Sequence, residues 1–90
     1  MNTIQNKVVF ITGGGHGIGL SLGKVFAGHG AKVVLADIDE KRLNTAKALL
    51  AESGLDVETI ICDVAKAESV KSAADFTVDR FGKVHIVINN

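Results

Sequence analysis

Four short apolar runs alternate along this chain with three longer segments of helical periodicity. The runs begin at Val8, Ala31, Val57 and Val84, and valine and isoleucine recur in them. Continuous apolar runs of this kind are typical of strands that other elements cover on both faces, as in a parallel sheet. The pattern therefore predicts seven elements in the order β-α-β-α-β-α-β.

Turn and cap residues set the predicted limits of these elements. Strands are expected at 8–11 with Thr12 at the end, 31–36, 57–62 and 84–88, and helices at 17–27, 39–52 and 67–81. Asp39 is a candidate N-cap for the second helix, and Gly82 is expected to end the third. The predicted inward faces carry Leu22, Val25 and Phe26 in the first helix, Leu43, Ala46 and Leu50 in the second, and Val70, Ala73, Ala74, Val78 and Phe81 in the third.

Alternating strands and helices imply a parallel sheet with right-handed crossovers. We therefore expect an α/β fold, a Rossmann-like doubly wound parallel sheet of which this chain holds a part, with strand order 3-2-1-4. The first two helices would cover one face and the third helix the other. The switch point between strands 1 and 4 opens a crevice at the carboxyl ends of the strands, where such sheets bind ligands.

A glycine-rich turn follows the first predicted strand at this crevice. Five glycines fall within seven residues, at Gly13, Gly14, Gly15, Gly17 and Gly19. Glycine permits positive φ and lets a ligand approach the backbone closely. Because a helix begins within this segment, its free N–H groups and its dipole favour an anion such as phosphate. A plain surface loop is the alternative, but the strand, turn and helix occur in the order that phosphate binding requires.

Asp37 ends the second predicted strand, 18 residues after Gly19. A dinucleotide fold places an acidic residue near this point to accept hydrogen bonds from the adenosine ribose. A carboxylate there repels a 2′-phosphate, which favours NAD over NADP. A turn or cap role for Asp37 is the alternative. His16, if protonated, would add positive charge beside the phosphates and would tolerate the extra phosphate of NADP.

Other polar residues follow the remaining strands. Asp63 ends the third strand, where an N-cap role is equally compatible with its spacing. Asn89 and Asn90 follow the fourth strand, where asparagine also serves in ordinary turns. Polar groups at four strand ends are nevertheless more than packing requires, so we expect them to line one site.

Composition narrows the function classes. Lys plus Arg and Asp plus Glu both number 10, so bulk charge suggests neither a nucleic-acid nor a membrane partner. The polar start of the chain and the absence of a long apolar run predict a cytoplasmic protein. Cys62, the single cysteine, lies in an apolar run and is expected to be a small core residue. No residue is predicted to bind a metal.

Together these residues resemble the short-chain dehydrogenase/reductase family. Thr12 to Gly19 matches its TGxxxGxG coenzyme motif, and Asp37 matches its NAD-preferring acidic residue. Asp63-Val64 matches the pair that contacts adenine, and the segment 81–90 resembles the run into the family's NNAG motif. Lys66 departs from the small polar or acidic residue that often starts the next helix. The P-loop class is excluded because no Gly-Lys-Ser/Thr follows the glycines, and the TGxxxGxG spacing disfavours a methyltransferase.

The resemblance implies roles for individual residues. Gly13, Gly17, Ile18 and Gly19 would form the phosphate turn, Asp37 would hold the ribose, Asp63 and Val64 would flank adenine, and Asn89 and Asn90 would line the adenosine side and brace the central strand. The full set of expected cofactor-binding residues is Gly13, Gly15, His16, Gly17, Ile18, Gly19, Asp37, Ile38, Asp63, Val64, Asn89 and Asn90.

The resemblance also implies that residues 1–90 are the N-terminal part of one NAD(P)-binding domain of about 250 residues. Such a parent would transfer hydride between a nicotinamide and an alcohol or ketone, and would be a homo-oligomer. The family's catalytic Ser, Tyr and Lys lie beyond the NNAG motif, and this chain contains no Tyr. We therefore assign no catalytic residue and expect the chain alone to be inactive. A stand-alone nucleotide-binding module without catalysis is the alternative.

Overall fold

The central strand of the sheet is the apolar run before the glycine turn. A computed structural model describes residues 3–90. The first two residues of the polar N-terminal segment therefore lie outside the described residues. The elements are β1 (Val8–Thr12), α1 (Gly17–Gly28), β2 (Lys32–Asp37), α2 (Glu40–Glu52), β3 (Glu58–Ile61), α3 (Ala67–Phe81) and β4 (Ile86–Ile88).

All described strand pairs are parallel, and the order β3-β2-β1-β4 confirms the predicted topology. On one side of β1, Val9 pairs with Val33 of β2, and on the other side it pairs with Ile86 of β4. The carboxyl ends of all four strands consequently meet at one edge of the sheet, where the sequence places its polar residues.

Successive side chains of β1 and β2 enter two separate cores. One core joins α1 and α2 to the sheet and contains Val9, Ile11, Val33, Leu35, Leu43, Ala46 and Leu50. The other lies under α3 and contains Phe10, Val34, Ala36, Cys62 and Ala73. This alternation is the period of a strand that is covered on both faces. It confirms the predicted placement of the three helices and the core role of Cys62.

The second helix matches its prediction. The carboxylate of Asp39 accepts a hydrogen bond from the main-chain N–H of Arg42, as an N-cap does. Leu43, Ala46 and Leu50 are buried as predicted. The helix therefore begins at Glu40, with Asp39 outside it as the cap.

The predicted inward face of α1 was wrong at one position. Val25 is 56 % exposed, whereas Leu22 and Phe26 pack against the core. Gly23 faces the sheet, because a methyl group there would lie 2.8 Å from the Leu35 side chain. Val25 follows Gly23 by two residues, about 200° around the helix, and so it points away from the sheet.

The predicted stripe on α3 was also wrong in part. Ala73 and Thr77 are the buried residues, whereas Val70, Ala74 and Val78 are exposed. The Thr77 hydroxyl donates to the Ala73 carbonyl oxygen at 2.9 Å, which satisfies this polar group inside the core. Apolar periodicity alone does not identify a threonine that is buried in this way.

Several strand limits differ from the prediction. The β2 strand extends to Asp37, and β3 and β4 are shorter than expected and only partly buried, since each pairs with one neighbour among the described residues. At the start of β4, the His85 ring Nδ1 accepts the Val8 N–H at 2.9 Å. The ring replaces a main-chain acceptor there, so regular pairing begins at Ile86 rather than Val84.

Candidate functional site

A cleft of about 200 Å³ lies at the carboxyl ends of the strands. Residues from the ends of all four strands line it: Thr12, Gly13, Asp37, Ile38, Cys62, Asp63, Val64 and Asn90. The sheet order explains this convergence, because the chain leaves β1 toward one side and reaches β4 on the other. Six of the predicted cofactor-binding residues are thus brought to one place.

The glycine turn forms one rim of the cleft and leads directly into α1. Gly17 begins the helix with φ of 56°, a conformation in which other residues are strained. His16 occupies the N-cap position, and its side chain caps no N–H of the described helix. The first-turn N–H groups therefore have no partner within the helix, and the exposed positions of Gly17 and Ile18 leave them open to an anion.

Gly19 keeps the turn tight from inside the helix. A methyl group at this position would overlap the Gly13 carbonyl oxygen and would lie 2.8 Å from the Asn90 amide nitrogen. Gly17 differs, since a methyl group placed there would meet none of the described residues within 4 Å apart from its chain neighbours and the backbone of its own helix. The two glycines thus serve different purposes: Gly17 supplies a backbone conformation, and Gly19 permits close approach.

Asp37 links the end of β2 to both the turn and α2. Its Oδ2 accepts the Gly15 N–H at 3.1 Å, and its Oδ1 accepts the Asp39 N–H at 3.1 Å. Burial of the carboxylate raises its pKa, but these two hydrogen bonds and His16 outweigh burial and hold the pKa of Asp37 below its usual range. The carboxylate therefore stays ionised at neutral pH in a side chain that is only 6 % exposed.

His16 and Arg42 extend this cluster toward solvent. The His16 Nδ1 lies 3.4 Å from Asp37 Oδ2, and the Arg42 Nη1 lies 3.3 Å from each of the two His16 ring nitrogens. Sequence reasoning missed Arg42. The available signal was its place three residues after the N-cap Asp39, on the helical turn that follows Asp37.

Asp63 is held in a local turn at the end of β3. Its Oδ1 accepts the Ala65 N–H at 3.0 Å, and its own N–H donates to the Ser69 hydroxyl oxygen at 2.9 Å. Lys66 is the residue at the N-cap position of α3, and it makes no side-chain capping bond. The N-cap role considered for Asp63 was therefore wrong, and its side chain instead makes a turn contact just before the helix.

Two apolar side chains stand at the cleft with unusual exposure. Ile38 and Val64 are each 64 % exposed, and both line the cleft. They follow Asp37 and Asp63 directly in the chain. Each acidic residue is thus paired with an apolar residue, an arrangement that suits a flat ring with a polar substituent.

Asn90 ties β4 to β1. Its main-chain N–H donates to the Thr12 hydroxyl oxygen at 3.0 Å, and its side-chain amide donates to the Gly13 carbonyl oxygen at 3.3 Å. The Thr12 hydroxyl in turn donates to the Ile88 carbonyl oxygen at 3.3 Å. Asn89 is exposed and does not line the cleft, so the structure gathers one of the two asparagines there.

The remaining predicted residues lie around the cleft rather than in its lining. Gly15 contacts Asp37, His16 and Gly17 are exposed on the rim, and Gly19 is buried beneath the turn. Thr12 and Cys62 also line the cleft, and neither was assigned to coenzyme binding, although Thr12 was expected at this edge as the polar end of the first strand. A threonine that ends a strand immediately before the glycines was the signal for Thr12. In the part of the chain that the structure describes, no helix has the length and apolar character needed to cross a bilayer.

Comparison with known proteins identifies the family. The model of the short chain dehydrogenase family matches residues 7–90, and the chain therefore belongs to this family. It is 42 % identical over 87 residues to an uncharacterized oxidoreductase of Thermotoga maritima, covering 97 % of this chain and 34 % of that protein. It is 39 % identical over 87 residues to galactitol 2-dehydrogenase of Agrobacterium fabrum, covering 97 % of this chain and 33 % of that protein.

Solved structures agree. A short chain dehydrogenase from Mycobacterium smegmatis superposes with a TM-score of 0.92 at 35 % identity, covering 100 % of this chain and 38 % of that one. A short-chain dehydrogenase/reductase from Burkholderia phymatum in complex with NAD gives a TM-score of 0.90 at 37 % identity, covering 97 % of this chain and 31 % of that one. The chain spans about a third of the length of the curated relatives it matches.

Proposed function

We propose that this chain is the coenzyme-binding part of an NAD(H)-dependent short-chain alcohol/ketone oxidoreductase. The observation that carries the proposal is the cleft itself, which joins Asp37, Asp63, Val64 and Asn90 beside a glycine turn with open N–H groups. Each component suits a different part of one ligand, an adenine dinucleotide.

The proposed ligand would be held in three places. The pyrophosphate would lie over the first turn of α1, where the N–H groups and the helix dipole favour negative charge. The adenosine ribose would bind Asp37, and the adenine would lie between the apolar side chains of Ile38 and Val64. Asp63 and Asn90 would provide the polar contacts at the adenosine side, with Asn89 outside them.

NAD rather than NADP is the preferred coenzyme in this proposal. Asp37 is buried, and the lowered pKa keeps its carboxylate negative at neutral pH. A 2′-phosphate beside this carboxylate would experience like-charge repulsion with little water to screen it. The relative from Burkholderia phymatum, which is described in complex with NAD, supports the same choice.

The chain would bind and orient the coenzyme, whose nicotinamide would accept hydride from an alcohol or, when reduced, donate it to a ketone. We assign no catalytic acid or base to the described residues, and the sequence has no tyrosine. The 90-residue chain alone is therefore proposed to bind the coenzyme without turnover. The substrate alcohol or ketone, the homo-oligomeric parent and the cytoplasmic location remain predictions.

Three larger depressions lie elsewhere on the described surface. One, of about 470 Å³, lies beside β3 and is lined by Glu40, Leu43, Asn44, Thr59, Ile60 and Ile61. A second, of about 370 Å³, lies near Asp56, Arg80 and Phe81. A third, of about 250 Å³, lies between α1 and α2. None of them adjoins the glycine turn or the switch point of the sheet, so chemistry and not size selects the smaller cleft.

Calorimetric titration of the 90-residue chain with NAD, NADP and AMP tests the proposal. We expect NAD and AMP to bind, NADP to bind more weakly, and Gly19→Val to abolish binding by closing the turn. Gly28→Ala is the matched control, because a methyl group at that position would meet none of the described residues within 4 Å apart from its chain neighbours and the backbone of its own helix. Absence of NAD binding to the folded wild-type chain, or undiminished binding to Gly19→Val, would overturn the proposal. If the 90-residue chain oxidised an alcohol with NAD at a measurable rate, the proposal that it is inactive alone would be wrong.

A further inference from the structure

We propose that His85 is a positioning residue of the coenzyme cleft, and that coenzyme binding weakens when its imidazole is protonated. The ring holds β4 on β1 at the end of the sheet opposite the cleft, while the other end of β4 carries Asn90 into the cleft. The inference rests on the proposed coenzyme-binding function and adds to it a residue for which the sequence predicted no role.

Two hydrogen bonds join His85 to Val8. The His85 main-chain N–H donates to the Val8 carbonyl oxygen at 2.9 Å, and the Val8 N–H donates to the His85 ring Nδ1 at 2.9 Å. Because the donor to the ring is a main-chain N–H, the ring nitrogen must be unprotonated to accept it. Val8 is 2 % exposed, so protonation of the ring would leave a buried donor without its acceptor.

The charged groups near the ring also oppose its protonation. Desolvation lowers the pKa of His85, and the positive charges of Lys7, beside β1, and Lys83, before β4, lower this pKa further. Within the described residues, no carboxylate forms an ion pair with the ring. A protonated His85 therefore loses its contact with β1 and gains no compensating partner.

The β4 strand depends on such polar contacts because little else holds it. It has three residues, and β1 is its one paired neighbour among the described strands. Val87 is 59 % exposed, while Ile86 and Ile88 are only half-buried. A short strand with so little apolar burial opens locally at a small cost in free energy.

The far end of β4 contacts the glycine turn through Asn90. The Asn90 side-chain amide donates to the Gly13 carbonyl oxygen, and a methyl group at Gly19 would lie 2.8 Å from the amide nitrogen. Five residues of extended chain span about 16 Å, and His85 does not line the cleft. His85 would therefore affect the coenzyme only through the position of β4.

An NMR titration of the His85 ring in the folded 90-residue chain, with and without saturating NAD, tests the inference. Binding linkage is reciprocal, so a coenzyme that requires β4 in place must lower the pKa of His85. Signals of the folded chain report this pKa even if part of the sample unfolds in acid.

Calorimetry with NAD measures the same linkage from the coenzyme side. The dissociation constant should be constant above about pH 6.5. It should rise about threefold as the pH falls through the lowered pKa of His85, a part of the worth of one hydrogen bond. Asp37, with its own lowered pKa, stays ionised in mild acid, and a proton on His16 would strengthen phosphate binding. Neither group would produce this loss.

Three variants assign the effect. His85→Asn supplies an acceptor oxygen that does not titrate, so it should bind NAD as wild type does at pH 7.5 and should lack the loss in acid. His85→Ala removes the acceptor, so it should bind about threefold more weakly at pH 7.5. His29→Asn is the matched control, because it removes another exposed imidazole, at the carboxyl end of α1, and should keep the wild-type pH profile.

A pKa of His85 that NAD does not move, or a loss in acid that persists in His85→Asn, overturns this inference and leaves the proposed function intact, provided that NAD binds. A loss that disappears in His29→Asn also overturns it, since another imidazole would then be responsible. Failure of the folded wild-type chain to bind NAD overturns the proposed function and this inference together.

Discussion

The carboxylate of Asp37 accepts a hydrogen bond from the main-chain N–H of Gly15, with 3.1 Å between Oδ2 and the nitrogen. The bond joins the end of β2 to the glycine turn across 22 residues of sequence. Asp37 therefore shapes the turn in addition to its proposed contact with the ribose. The sequence left open whether Asp37 has a turn role or binds the ribose. The two roles are compatible, because a carboxylate has acceptor sites for both.

Asp37→Asn should destabilise the fold by about 1–3 kcal/mol at pH 7, because an amide cannot replace both acceptor oxygens. The pKa of Asp37 lies below its ordinary value of 3.8 in the folded chain, so the carboxylate stabilises the fold above that pH. The contribution is lost as the pH falls through the lowered pKa. Urea unfolding of wild type and variant at pH 7 and near pH 3 should show the difference shrinking in acid. A constant difference would contradict this role of the carboxylate.

Gly19→Ala should cost about 1–3 kcal/mol of unfolding free energy, since its methyl group would overlap the Gly13 carbonyl oxygen. Gly28→Ala lies in the same helix in open space, and it should be neutral or stabilising by up to about 1 kcal/mol. Chemical denaturation of the three proteins gives the comparison. Equal stability of the two variants would mean that the turn does not approach α1 as closely as described.

His85 should make the stability of the chain sensitive to mild acid. Burial lowers the pKa of His85, as do Lys7 and Lys83, and its Nδ1 must be unprotonated to accept the Val8 N–H. Below about pH 6.5 an unfolded histidine gains a proton that the folded one resists. Stability is therefore fully present above that pH and falls as the pH decreases.

His85→Asn supplies a side-chain oxygen that does not titrate, so it should reduce the loss of stability between pH 7 and pH 5. His85→Ala removes the acceptor, and its stability should be low at both pH values. Thermal melts at the two pH values separate these variants. If His85→Asn loses as much stability in acid as wild type, another group is responsible.

Thr77→Val should destabilise the fold by about 0.5–1.5 kcal/mol, because it removes the hydroxyl that donates to the Ala73 carbonyl oxygen in the core. Val78→Ala, on the adjacent exposed position, should change stability by less than about 0.5 kcal/mol. Urea unfolding of both variants tests which face of α3 packs against the sheet. If Val78→Ala were the more destabilising variant, the apolar stripe that the sequence predicted for α3 would be the buried face.

The element order and strand order followed from the sequence because buried parallel strands give continuous apolar runs that few other structures produce. The position of Asp37 at a strand end was predictable for the same reason. The buried face of α3 was not predictable, because Thr77 enters the core through a hydroxyl contact with Ala73. Arg42 also escaped prediction, since its contact with His16 spans 26 residues and depends on the packing of α2 against Gly15.

Two-dimensional ¹H–¹⁵N NMR of the labelled chain, titrated with NAD, tests the central claim most directly. The account predicts that the amide signals that shift belong to the turn at 13–19, to Asp37 and Ile38, to Asp63 and Val64, and to Asn90. These residues come from all four strand ends, so only a ligand in the cleft shifts them together. A spectrum that does not change, or shifts confined to the depression around Asp56 and Arg80, would contradict it.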